Sequence, residues 1–206
     1  MKKYSGFTKS TQEHLLLNAG AYFKNYDVEK DTYDTAVAAG KLIGATRGGG
    51  QFDAVPTVRQ IQVDGVSGRA KGLEQIDDWD VALQANVLEI KKETLQAALI
   101  ASKVETATLS GYKKITAKQN IELTDYIDNI TWIGTVSGSD EPVIIVVKNA
   151  LNIGGLQLKT EDKNESVISM KFYGHYEQGE LDEPPFEIYY PDIEANSVAQ
   201  TTTSKS

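Results

Sequence analysis

Residues 79–90 read WDVALQANVLEI, a run in which apolar and polar side chains alternate. A period of two places successive side chains on opposite faces of a strand, and it is typical of a sheet with one buried and one solvated face. The segment therefore predicts a long strand. The side chains expected to face the core are Trp79, Val81, Leu83, Ala85 and Val87.

The next segment has helical spacing instead. Leu95, Ala98, Leu99 and Ser102 recur at i, i+3, i+4 and i+7, while charged side chains lie on the opposite face. This pattern predicts one amphipathic helix at about residues 92–102 that lies against the flank of a sheet.

Other strands are predicted where alternating apolar runs are bounded by turn residues such as Asp64-Gly65. They cover residues 15–26, 41–46, 58–64, 112–117, 126–136, 143–152, 156–161, 167–177 and 186–190. The predicted fold class is mainly β: a β-sandwich or flattened barrel with one flanking α-helix and long loops.

The chain is expected to form a single domain at residues 1–196. Residues 27–56 are weakly periodic and Gly-rich, so we expect a long loop or excursion that contacts neighbouring subunits rather than completing the core. Residues 197–206 carry Ser, Thr and Gln without core-forming side chains, which predicts a disordered C-terminal tail.

The composition narrows the possible functions. The 206 residues include 29 acidic and 21 basic side chains, giving a net charge of −8. Tight nucleic-acid binding needs a basic surface that displaces counterions, so it is not expected here.

The chain has no cysteine, which excludes disulfides, thiolate metal sites and a cysteine nucleophile. The longest strongly apolar run, Val143–Val147, is far shorter than a membrane helix, and no apolar leader follows Met1-Lys2-Lys3.

No residue pattern indicates catalysis. His14 and His175 lie in polar surroundings without convergent carboxylates, and the acidic run Asp77-Asp78-Trp79-Asp80 fits solvated turn charge better than a calcium loop. We therefore expect no enzyme activity, no catalytic residue, no metal and no cofactor.

The glycine run Gly48-Gly49-Gly50 lacks the Lys-Ser or Lys-Thr and the helix that a phosphate-binding loop requires. A flexible tip, a close backbone approach and an inter-subunit contact remain as interpretations. Arg47 and Phe52 are the residue types that dominate interface energetics. The predicted inter-subunit set is Arg47, Gly48, Gly49, Gly50, Phe52 and Pro56.

Several segments, read in order, resemble a known family. They are LLLNAGAYFKNY at residues 15–26, LIGATRGG at 42–49, RQIQVDG at 59–65 with KGL at 71–73, and NVLEI at 86–90 followed by Leu95 and Leu99. This order resembles the major tail tube proteins of siphophages that infect Gram-positive bacteria, over about residues 15–100.

The resemblance implies a structural virion protein. Its copies would form hexameric rings that stack into the tail tube, the conduit for DNA, with a β-sandwich fold, a flanking helix and a long inter-ring loop. It also implies the tape measure and other tail proteins as partners, assembly in the host bacterial cytoplasm, and a final place in the virion tail without membrane contact.

Because DNA would pass through the lumen without specific binding, we expect the lumen wall to carry acidic and neutral polar side chains, with Asp80 and Glu89 as candidates. Two other classes stay open: a β-sandwich binding or adhesion module of a phage tail or cell surface, and an enzyme built on carboxylates alone. Clustered aromatic side chains would favour the binding module, but the ten tyrosines are scattered in sequence.

Overall fold

The computed structural model describes residues 4–158, 160, 162–163 and 165–193, so the predicted disordered tail lies outside the described residues. The described part is mainly β. Its strands are β1 (Ala21–Lys24), β2 (Thr46–Gln60), β3 (Glu74–Val87), β4 (Ser102–Thr106), β5 (Lys113–Ala117), β6 (Ile127–Gly134), β7 (Val143–Asn152), β8 (Ile168–Tyr173) and β9 (Phe186–Tyr189). Its helices are α1 (Tyr33–Ala38), α2 (Lys92–Ala98) and two 3₁₀ turns, Lys9–His14 and Leu123–Asp125.

Seven strands form one antiparallel sheet in the order β1-β6-β7-β8-β3-β2, and β9 also pairs with β7. The remaining strands, β4 and β5, form a separate two-stranded sheet. Residues 41–43 continue the large sheet beyond β1, because the backbone amides of Lys24 and Ile43 bond to the carbonyls of Lys41 and Tyr22.

The large sheet bends at β7. One edge of β7 pairs with β6, while the other edge pairs first with β9 and then, through Leu151 and Asn152, with β8. Between these two stretches Asn149 adopts a φ of 47°, a left-handed conformation that asparagine tolerates better than most residues. The bend divides the sheet into two halves, one containing β1, β6 and β9 and the other β8, β3 and β2.

The main core lies between these halves. Val81 and Leu83 of β3 and Ile130 and Trp132 of β6 belong to one buried cluster. The two end strands also approach each other, because a Cβ added to Gly50 of β2 would lie 2.0 Å from the Tyr22 hydroxyl of β1. The predicted β-sandwich or flattened barrel is confirmed, and Val81, Leu83, Ala85 and Val87 are buried as their alternation predicted.

The predicted helix is shorter than its pattern suggested. It ends at Ala98, and Leu99 is already extended, with φ −87° and ψ 130°. The buried Asn152 side chain donates to the Ala98 carbonyl at 2.8 Å, which satisfies one of the carbonyls that every helix end leaves without a helical partner. The chain can therefore leave the helix and enter β4 at Ser102.

The prediction that residues 27–56 form a loop outside the core is wrong. The segment contains α1 and eleven residues of β2. Ala36 is fully buried in a second cluster with Phe23, Tyr26 and Ile133, and Ile43 belongs to the main core. The acidic run at 77–80 is likewise part of β3 rather than a turn.

Candidate assembly surface

The hairpin of β2 and β3 projects beyond the body of the protein. β8 pairs with β3 only from Ala82 to Val87, whereas β2 pairs with β3 down to Glu74. Among the described residues, no third strand flanks the outer part of this hairpin. We call residues 55–80 the long arm; its paired part is about 20 Å long at ~3.3 Å per residue.

The long arm leaves apolar side chains in solvent. Its exposed apolar residues are Val55, Val58, Ile61, Val63, Val66 and Ile76. An isolated two-stranded hairpin is only marginally stable in water, and exposed apolar surface of this kind marks interaction sites. The arm therefore has the properties of a segment that another molecule covers.

The register of the long arm is nevertheless well fixed. Gln60 pairs with Glu74 and Val58 with Ile76, and a register shift follows between Val58 and Thr57. Beside this irregularity, Arg59 Nε lies 3.1 Å from Asp77 Oδ2. Because the pairing is defined on both sides of this shift, the arm presents a fixed set of side chains on each face.

The face of β2, β3 and β8 that points away from the core is mostly solvated, although Ala82 on it is buried; we call it the polar face. It carries Gln51, Asp53, Val55, Thr57 and Arg59 on β2, Asp78, Asp80, Ala82 and Gln84 on β3, and Ser169, Lys171 and Tyr173 on β8. Asp53 lies 3.4 Å from Lys171, while Asp78 and Asp80 form no ion pair with any described residue. The polar face thus combines neutral polar groups with a small acidic excess.

The two predicted lumen residues lie in different environments. Asp80 is exposed on the polar face. Glu89 lies beyond the end of β3, where its carboxylate accepts the Ala45 amide at 2.9 Å and pairs with Lys91. The Lys91 ammonium and this amide hold the pKa of Glu89 below its ordinary value. Glu89 therefore anchors the chain where it enters β2.

The glycine run is part of β2. Gly48 and Gly49 have φ values of 80° and 70° at the register shift between Thr46 and Gly50, and their Cβ positions would meet open space. Gly50 makes the close backbone approach, against Tyr22 and the Gln84 carbonyl. Glycine in a strand typically marks a bulge or such an approach, and this run contains both.

The other predicted contact residues already have partners within the chain. Arg47 donates to Glu165 at 2.7 Å, with its side chain still 44% exposed. Phe52 is half-buried against the core, with its ring 5.8 Å from that of Phe186, and Pro56 lies opposite Trp79 in the register. Of this set, Arg47, Gly48 and Gly50 are exposed, whereas Gly49, Phe52 and Pro56 are half-buried.

A second hairpin, which sequence reasoning did not single out, is formed by residues 102–117; we call it the short arm. Its strands β4 and β5 pair with each other and with no other described strand. The tip carries Leu109, 60% exposed, and Tyr112, 63% exposed. The missed signal is the alternation of Val104 and Ile115 with lysines around Gly111, which is typical of a hairpin.

The two histidines lie in separate places. Nδ1 of His14 is 3.2 Å from the Tyr190 hydroxyl, and Nδ1 of His175 is 2.9 Å from the Asn149 carbonyl oxygen. Within the described ranges, no group of three or more His, Asp or Glu side chains could hold a metal ion. The described helices also include none long and apolar enough to cross a membrane.

A comparison with protein-family models finds no match, and a comparison with curated protein sequences finds none either. The features that bear on function are therefore the two arms, the polar face and the resemblance in the sequence.

Proposed function

We propose that the chain is a structural subunit that self-assembles into stacked rings, hexameric by resemblance to siphophage tail tube proteins, and forms the tail tube through which DNA reaches the host. The protein acts by assembly rather than by catalysis. Its further partners are the tape measure and other tail proteins, and it is assembled in the host bacterial cytoplasm before it enters the virion.

The observation that carries this proposal is the long arm. A monomer gains little by extending two strands into solvent with Val58 and Ile76 both half exposed. A neighbouring copy that covers these side chains would supply about 25 cal/mol per Å² of apolar surface removed from water.

The test is to shorten the arm without touching the body. Residues 58–77 are replaced by Asn-Gly, which joins the paired residues Thr57 and Asp78 through a two-residue hairpin turn. We expect concentrated wild-type protein to form rings or tubes by negative-stain electron microscopy and sedimentation. The shortened variant should keep its circular dichroism spectrum and remain a monomer.

Wild-type protein that stays monomeric at every concentration, even with the proteins that initiate tails, would contradict the proposal. So would tubes of the shortened variant indistinguishable from those of the wild type.

A further inference from the structure

One face of the long arm continues the core face of the sheet beyond the last covering side chains. Trp79 is still covered, because its ring lies 5.5 Å from the ring of Phe186. Beyond it, Val58 and Ile76 face each other across the strands, 53% and 50% exposed. The next pair toward the tip is Gln60 and Glu74. We call these four residues the acidic docking face, since Glu74 is the one charge among them.

The short arm has a face of the same design and opposite charge. Val104 and Ile115 are a cross-strand pair, both partly exposed and both outside the two core clusters. The next pair toward the tip is Thr106 and Lys113. We call these four residues the basic docking face, because Lys113 is the one charge among them.

Each face therefore has a pair of β-branched side chains followed, two residues nearer the tip, by one charge. The arms also differ in net charge: residues 55–80 contain five acidic and three basic side chains, and residues 102–117 contain three lysines and one glutamate. Two copies of the same arm would bring like charges together, whereas the two different arms bring opposite charges together.

We propose that the acidic docking face of one copy binds the basic docking face of a second copy, with Val58 and Ile76 packed on Val104 and Ile115 and with Glu74 beside Lys113. This inference is built on the proposed function, because it names the contact by which the copies assemble. The contact joins two different surfaces, so it repeats from copy to copy and generates a closed ring or an open filament.

Charge reversal tests the pairing. Glu74→Lys and Lys113→Glu should each raise the concentration needed for assembly by roughly tenfold or more, because an attraction becomes a repulsion at every repeated contact. An equimolar mixture of the two variants restores opposite charges at each contact and should assemble like the wild type. The double variant in one chain should do the same. Glu180→Lys and Lys92→Glu, which change exposed charges elsewhere, are the matched controls.

Single variants that assemble like the wild type would overturn the inference. The inference would also be contradicted if the single variants failed to assemble and neither the mixture nor the double variant restored assembly, although circular dichroism showed that all of them were folded.

Cross-linking tests the proposed contact separately from tube assembly. Because the chain has no cysteine, an introduced cysteine is the only thiol that a maleimide can react with. Val58→Cys and Val104→Cys proteins are mixed and treated with a short bismaleimide. We expect a cross-linked dimer that contains one copy of each variant. Either variant alone should give little cross-linked dimer. Val37→Cys, an exposed position on α1, replaces Val58→Cys as the control.

Cross-linked pairs without rings or tubes would reject the tube while supporting the contact. Rings or tubes without such pairs would support the assembly and reject this contact.

Discussion

The two end strands of the sheet, β1 and β2, can approach each other closely at Gly50 because glycine has no side chain. A Cβ there would lie 2.0 Å from the Tyr22 hydroxyl and 2.1 Å from the Gln84 carbonyl oxygen. The carbonyl belongs to the neighbouring strand and cannot move without disturbing the ladder between β2 and β3. We expect Gly50→Ala to lower the free energy of unfolding by about 1–3 kcal/mol, measured by urea denaturation of dilute, unassembled subunit.

Two further variants make this prediction specific. Gly6→Ala is the matched control, since its Cβ would have no atom within 4 Å. In a Tyr22→Phe background, where the nearest of the three clashing atoms is gone, Gly50→Ala should cost less than in the wild type. Equal stability of Gly50→Ala and wild-type protein would contradict the described packing of β1 on β2.

The same residue shows what the sequence could indicate and what it could not. A run of three glycines predicts unusual backbone, and a close approach was one of the interpretations it allowed. Which glycine makes the approach depends on Tyr22, 28 positions earlier in the chain. No local pattern records that distance, so the choice of Gly50 over Gly48 or Gly49 needed the fold.

Among the elements, the segment that carries α1 owes its shape to local carboxylates. Asp31 accepts the Asp27 amide at 2.8 Å and pairs with Lys41, and the Tyr26 hydroxyl donates to the Asp31 carbonyl. The Asp27 amide and then Lys41 hold the pKa of Asp31 below its ordinary value, and Lys30 lowers the pKa of Asp27. The network fixes α1 over the cluster that contains Phe23.

This network predicts acid-sensitive local stability. A carboxyl whose folded pKa is lowered stabilises the fold fully above its unfolded pKa, and this contribution is lost as the pH falls through the folded pKa. Hydrogen-exchange protection of the amides of Ala36 and Ala39, which bond to Thr32 and Thr35, should therefore decrease as the pH falls below about 4.

Asp31→Asn is the control for the acid effect. It should lower protection already at neutral pH and flatten the decrease on acidification, because one titrating carboxyl is gone. Acidification that reduces protection equally in both proteins would show that other groups are responsible.

Element types were predictable from the sequence where the pattern is regular, and boundaries were not. The alternation at residues 79–90 predicted a strand and the burial of Val81, Leu83, Ala85 and Val87, but the strand ends at Val87 and Trp79 is only half-buried. The helical spacing extended to Ser102, but the structure ends α2 at Ala98, because Asn152 of β7 satisfies its last carbonyl. A helix stop made by a residue 54 positions away leaves no signal in the helix itself. The projection of the long arm is likewise set by the short length of β8, a separate strand.

On the scale of the whole molecule, the sheet has two surfaces with different roles under the proposed function. The core side of the long arm carries Val58 and Ile76 for contact with a neighbouring copy, and the polar face points the other way. A ring that buries the first surface between its copies leaves the second in water. We therefore expect the polar face, with Asp53, Asp78 and Asp80, to line the lumen of the tube.

An acidic lumen would keep DNA mobile, and this gives a testable consequence. Duplex DNA carries one negative charge per about 1.7 Å of its axis, and each phosphate that a lysine neutralises releases counterions and adds affinity. Carboxylates on the wall repel the duplex instead, over a range of roughly 8–10 Å at moderate salt. Asp78→Lys with Asp80→Lys reverses two exposed charges per copy without changing the acidic docking face. Tails built from this variant should eject DNA more slowly, and the delay should shrink as salt rises.

A variant of Glu89 tests whether slower DNA ejection is specific to charges on the polar face. Glu89 was the second lumen candidate, but it is engaged by Lys91 and Ala45, so Glu89→Gln should affect subunit stability more than DNA ejection. Glu180→Lys, which adds positive charge at an exposed position outside β2, β3 and β8, should leave ejection unchanged. Correctly assembled Asp78→Lys/Asp80→Lys tails that eject DNA at the wild-type rate at low salt would contradict the electrostatic role of the polar face, but not the proposed tube.

The same tails provide a second, independent measure: the slope of log affinity for a short duplex against log salt should become more negative, by about 0.9 for each phosphate newly neutralised.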